Sequence, residues 1–196
     1  LYAQNNTLDL LLEEIEHVKD YPYFCMEQIA SKLTVLAMEK KIRPALGQAF
    51  KNEKAMQQLL TKLQKGQLFE GGWAWWEAGN ANLTITNYVT RALLELRGDP
   101  ALESNIRNAL LYLQNRLPGL KRDQLLEALY TLSEARHDMD YNVYLRYIPF
   151  DSITLHQQWR MVSILQQQKL PYENELKGLM SEKVTTMTGG LHWGED

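Results

Sequence analysis

Apolar residues recur along this chain at the spacing of an α-helix, and helix breakers interrupt them at short intervals. Leu8, Leu11, Leu12, Ile15 and Val18 form one stripe. Ile29, Leu33, Leu36 and Ala37 form a second, and Met56, Leu59, Leu60 and Leu63 a third. Ile85, Tyr88, Val89, Ala92, Leu93 and Leu96 follow, then Ile106, Ala109, Leu110 and Leu113. Leu125, Leu126, Leu129 and Leu132 continue the series, and Trp159, Val162 and Leu165 do so less regularly. Positions i, i+3, i+4 and i+7 share one face of a helix, so each stripe needs a neighbour to cover it. No stretch alternates with period two for long enough to predict a strand.

The breakers are Asp20-Tyr21-Pro22, Arg43-Pro44, Gly66, Gly71-Gly72, Gly98-Asp99-Pro100, Pro118-Gly119, Asp138 to Asp140, Pro149 and Pro171. Asp99-Pro100 reads as an N-cap followed by proline at the first helical position. The expectation is an all-α chain of roughly eight or nine short helices stacked as hairpins. No Gly/Ser-rich linker divides it, so one domain over residues 1–196 is expected. A glycine pair followed by aromatic residues occurs twice, at Gly71-Gly72-Trp73-Ala74-Trp75 and at Gly189-Gly190-Leu191-His192-Trp193-Gly194. That echo suggests repeated helical units.

Composition narrows the function classes. Apolar residues make up 45% and charged residues 23%, the balance of a folded domain with a sizeable core. A net charge of -3 with scattered basic residues predicts no nucleic-acid partner. No apolar run approaches the roughly 20 residues that span a bilayer. The single cysteine excludes an internal disulfide and a multi-cysteine zinc site. No P-loop or dinucleotide turn is present, and no metal or cofactor is expected.

That cysteine lies in Tyr21-Pro22-Tyr23-Phe24-Cys25-Met26-Glu27-Gln28. On a helix, Cys25 and Gln28 share a face, about 5–6 Å apart at Cβ. A thiol and a carboxamide at that spacing can condense with loss of ammonia to an internal thioester, a stored electrophile that acylates an amine or hydroxyl when exposed. A helix N-terminus there would polarise an acyl oxygen. Tyr23, Phe24 and Met26 flank the pair, and Trp73, Trp75 and Trp76 are candidates to shield it from water. Two other readings stay open. A lone cysteine also serves as a small buried apolar residue, and a tryptophan cluster also serves as core.

These residues resemble the thioester domain of the alpha-2-macroglobulin family, in its bacterial branch. Tyr21 to Gln28, with Ser31 after it, is similar to the family's Tyr-Pro-x-x-Cys-x-Glu-Gln block. Gly71 to Trp76, with Thr86 and Tyr88-Val89, resembles its Gly-Gly-aromatic block and the helix that follows. Ala128-Leu129-Tyr130-Thr131-Leu132 is similar to an Ala-Leu-Tyr-x-Leu helix, and Gly189 to Gly194 to a later glycine–tryptophan turn. The blocks stand in family order. Phe24 and Met26 depart from it, occupying positions that are usually small.

The resemblance implies an α/α toroid, an inner and an outer ring of helical hairpins, incomplete here and part of a larger multidomain protein. It implies a module of a bacterial protease inhibitor that captures proteases covalently through their lysine amines, with Cys25 as the sulfur and Gln28 as the acyl carbon. Glu27 matches the motif's glutamate. Other domains of the parent chain would be its partners, in a periplasmic or envelope-associated protein, lipid-anchored or secreted. No histidine among His17, His137, His156 and His192 matches an accelerating role.

Two further readings compete. The same toroid could lack the bond and act as a structural or interaction module. An enzyme on a similar ring would need an acidic or metal-binding cluster, for which Asp138-Met139-Asp140 beside His137 is the nearest candidate.

Overall fold

A computed structural model describes residues 25–76, 79–185 and 190–193. It is all-α apart from one very short strand pair, and it divides into two compact units, residues 1–115 and 116–196. The stripe at Leu8 to Val18 lies outside the described residues.

In the first unit, α1 is Met26–Ala45, α2 is Glu53–Gly66, α3 is Leu83–Leu94 and α4 is Glu103–Arg116, whose last residue opens the second unit. α1 packs on both α2 and α3. Its Ile29, Ala30, Leu33, Leu36 and Ala37 are buried, as are Met56, Leu59, Leu60 and Leu63 of α2 and Ile85, Val89, Ala92 and Leu93 of α3. The stripes therefore meet in one core. Tyr88, read as part of the α3 stripe, instead lies on the surface with 42% of its area exposed.

α1 ends one residue past Pro44, which has no N–H to donate to the preceding turn and whose ring crowds the carbonyl four residues back. Gly47 takes φ +68, Gly47 N–H reaches the Pro44 carbonyl (3.0 Å) and Gln48 N–H the Arg43 carbonyl (2.9 Å). That is a Schellman close, in which a left-handed residue satisfies the last free carbonyls. Asp99 caps as expected, its Oδ1 accepting from Ala101 N–H at 3.0 Å. Pro100–Leu102 form a 3-10 turn before α4 begins.

In the second unit, α5 is Arg122–Glu134, α6 the single turn Asn142–Leu145, α7 Leu155–Gln167 and α8 Glu173–Ser181. α7 packs on α5 and on α8. Leu126, Leu129 and Leu132 meet Met161, Val162, Ile164 and Leu165 as buried faces of α5 and α7. Gln157 Nε2 donates to Asp123 Oδ1 (3.1 Å), and Ser133 shares a hydrogen bond with Gln167 (2.8 Å) between the same helices.

Two strands of two residues, β1 at Val184–Thr185 and β2 at Leu191–His192, pair antiparallel with Val184 opposite His192. The sequence predicted no strand, because two residues are too short to show alternation. Gly190 directly precedes β2; Gly189 lies outside the described residues.

Candidate functional site

The N-terminus of α1 gathers most of the residues that the sequence singles out. Cys25 is the N-cap, with extended backbone (φ -70, ψ 162), and its carbonyl accepts from Ile29 N–H at 3.0 Å. A helix leaves its first N–H groups without internal partners. Here the chain supplies partners both locally and from the glycine–tryptophan loop. Gln28 folds back so that its Oε1 accepts the Cys25 N–H at 3.2 Å, and the Cys25 side chain is turned to the Gln28 backbone N–H. Met26 N–H donates to the Trp75 carbonyl at 3.1 Å. Glu27 places an acidic group in the first turn, where the helix dipole favours it.

Met26 is buried, and its ε-methyl occupies the space that a Cβ at Gly66 would need. The bulk of Met26 is therefore accommodated by the absence of a side chain at the end of α2. Ser31 back-bonds to the Glu27 carbonyl (2.9 Å) and shares a hydrogen bond with the Tyr88 hydroxyl (3.0 Å). This joins the first block to the α3 helix of the second.

The glycine–tryptophan loop is held from three sides. Gly71 takes φ +95 against the Asn108 backbone, and a Cβ at Gly72 would come to 2.8 Å from Thr86 Oγ1. Trp73 N–H donates to Thr86 Oγ1 (3.0 Å), and Asn82 N–H to the Trp73 carbonyl (2.8 Å). Gln67 and Asn105 exchange two hydrogen bonds (2.8 and 2.7 Å), and the Tyr112 hydroxyl donates to the Ala81 carbonyl (3.2 Å), so α4 anchors both ends of the loop. Trp73 is fully buried, with its indole N–H on the Leu63 carbonyl at 2.7 Å. Trp75 accepts from α1 through its backbone carbonyl and is 42% exposed; Trp76 is 62% exposed.

The second unit repeats one device. Trp193 Nε1 donates to the Leu179 carbonyl at 2.7 Å, as Trp73 does to Leu63. In each case a tryptophan after a glycine pair takes a carbonyl from the last turn of the helix before it. Trp193 also stacks edge-on to Trp159, with centroids 5.2 Å apart. Ala128, Leu129, Thr131 and Leu132, the third block, are buried core of α5. Tyr130 lies under the Arg160 guanidinium (5.4 Å), and Arg160 pairs with Glu127.

The thioester reading is overturned by this geometry. Cys25 is a free thiol, 6% exposed. The Gln28 carboxamide is taken up as a backbone cap rather than presented as an acyl donor. Thr154 and Gln157 make the same cap at the start of α7, where Gln157 Oε1 accepts Thr154 N–H at 3.0 Å and Gln157 N–H reaches Thr154 Oγ1 at 3.4 Å. The threonine pair makes this cap with a hydroxyl in place of the thiol, and the shared geometry is that of a capping box. The protease-inhibitor chemistry inferred from Cys25 and Gln28 falls with it.

Tyr23 and Phe24 lie outside the described residues. No group of three or more His, Cys, Asp or Glu that could hold a metal is present among the described residues. Asp140 serves a turn, accepting from Asn142 N–H at 3.0 Å. Burial holds the His137 imidazole below its usual 6.5, with Asp138 pulling the other way. Among the described residues, no helix is long and apolar enough to cross a membrane. The Ser31–Tyr88 and Gln67–Asn105 pairs were not foreseen, because polar residues far apart in sequence carry no periodic signal. Asn87 Oδ1 on α3 is buried without a hydrogen-bond partner. No protein-family model matches the chain, and no curated protein matches it.

Proposed function

We propose that this chain is an unreactive helical module, structural or partner-binding in role, within a larger protein of the alpha-2-macroglobulin type. The capping box at Cys25 carries the reading: it gives the motif's cysteine and glutamine a complete structural role. The first two motif blocks support it, since they join α1, α3 and the glycine–tryptophan loop in one hydrogen-bonded assembly. The paired helices α1 and α2 are the kind of hairpin from which an α/α ring is assembled. The same loop leaves Phe69, Trp75 and Trp76 exposed, residue types favoured in the cores of protein interfaces. Neighbouring domains of an envelope-associated parent are the partners this reading assigns to it.

Intact mass with and without methylamine, alongside thiol titration, tests the proposal. The expected result is the full mass of the sequence, a single thiol titrating on unfolding, and no methylamine uptake. A mass lower by one ammonia, with a blocked thiol released by methylamine, would overturn it.

A further inference from the structure

Residues 67–76 leave the end of α2 and finish against the start of α1, and the two ends of this segment are held very differently. Up to Trp73 it is pinned. Gln67 is bonded to Asn105, Gly71 lies against the Asn108 backbone, and Trp73 is fully buried with hydrogen bonds to Thr86 and Leu63. Beyond Trp73, one hydrogen bond among the described residues ties the segment to α1: Met26 N–H donates to the Trp75 carbonyl at 3.1 Å. Trp75 and Trp76 are both exposed, so their rings hold the segment down far less than the Trp73 ring does. One hydrogen bond shifts an equilibrium by roughly threefold to tenfold. Unfolding a whole domain is disfavoured by a factor of roughly 10³ to 10⁸. Lifting residues 74–76 off α1 is therefore the cheaper event.

We propose that residues 74–76 form a latch on the first turn of α1. It opens about Trp73, which stays in the core, and it carries the indoles of Trp75 and Trp76 away from the Cys25–Met26 peptide. The two exposed rings thus have a mechanical link to α1: while they are displaced, the helix lacks the partner that its first N–H has in the closed form. Cys25, buried and next in the chain to the residue that the latch holds, reports the opening. The latch is a property of the chain alone and is independent of the interaction role proposed above.

N-ethylmaleimide labelling of Cys25, the only cysteine, followed by intact mass, tests the latch in the full chain. Below the urea transition the wild-type rate should be measurable and nearly flat, because a local opening exposes little surface. A rate undetectable there, or one that climbs from the lowest urea with the slope of global unfolding, would overturn the proposal. Met26→Pro and Met26→Ala form the second test, each rate divided by that of the same chain unfolded. Both remove the buried thioether, but only proline removes the N–H that the Trp75 carbonyl accepts. Cys25 has the backbone that a following proline requires (φ -70, ψ 162), and proline suits the first helical position. The proline variant should label roughly three to ten times faster than the alanine variant. Equal rates would rule the latch out.

Discussion

Gln28 Oε1 accepts the backbone N–H of Cys25 at 3.2 Å, as Gln157 Oε1 accepts that of Thr154 at 3.0 Å. The first pair looks like stored chemistry in sequence; the second lies in no such motif. Both act as helix caps, so both should respond alike to loss of the amide. Gln28→Ala and Gln157→Ala are each expected to lower stability by about 0.5–1 kcal/mol, read as a shift in urea midpoint at constant slope. Gln28→Glu should hold stability, because it keeps the acceptor and adds negative charge at a helix N-terminus. A silent Gln28→Ala beside a costly Gln157→Ala would remove the cap from α1.

The helices were legible because burial imposes a period. Ile29, Leu33 and Leu36, and likewise Leu126, Leu129 and Leu132, recur at the spacing that one covered face requires, and all are buried. The site was not legible, because its decisive spacing is ambiguous. A residue able to accept at the N-cap, followed three positions later by Glu or Gln ahead of an apolar run, is the capping-box signature. Cys25-Met26-Glu27-Gln28 fits that signature as well as it fits a thioester, with sulfur in the place of a hydroxyl. The Ile29 stripe directly behind it was the signal for the cap. Tyr88 was misread for a related reason: periodicity marks a face, and a tyrosine at its edge can turn its hydroxyl to a surface partner, here Ser31.

Gly71 and Gly98 have nearly the same φ, +95 and +97, but differ in surroundings. A Cβ at Gly71 would overlap the Asn108 carbonyl oxygen, whereas nothing lies within 4 Å of one at Gly98. Gly98→Ala should therefore cost only the conformational term, roughly 1 kcal/mol. Gly71→Ala adds a clash with backbone that α4 cannot relieve without moving, and should cost at least about 3 kcal/mol. Urea unfolding of the two variants side by side reads the difference; equal losses would show that the loop is not pinned to α4.

Two helices close on left-handed residues that are not glycine. Arg136 (φ 56) follows α5, and Lys169 (φ 55) follows α7. In both, the next residue completes a Schellman close: His137 N–H reaches the Leu132 carbonyl and Leu170 N–H the Leu165 carbonyl, each at 2.9 Å. A side chain there costs backbone strain that glycine does not carry. Lys169→Gly is expected to stabilise the chain by about 0.5–1 kcal/mol despite its greater unfolded-state entropy. A lower melting temperature for this variant would mean that the lysine side chain contributes more than its backbone costs.

His137 gives the second unit a pH dependence. Burial lowers the folded-state pKa of His137 from 6.5, and Asp138 opposes that shift without cancelling it. A base whose folded pKa is lowered binds protons more readily when unfolded, so stability falls as pH falls. The neutral-histidine contribution is complete above pH 6.5 and is lost as pH drops through 6.5 toward the folded value. Unfolding midpoints measured from about pH 7.5 down to about pH 5.5, above the range where ordinary carboxylates protonate, should decline more in the wild type than in His137→Gln. Asp138→Asn should steepen the decline, because it removes the charge that holds the imidazole pKa up. A His137→Gln profile parallel to wild type would show that the imidazole is as hydrated in the folded chain as in the unfolded one.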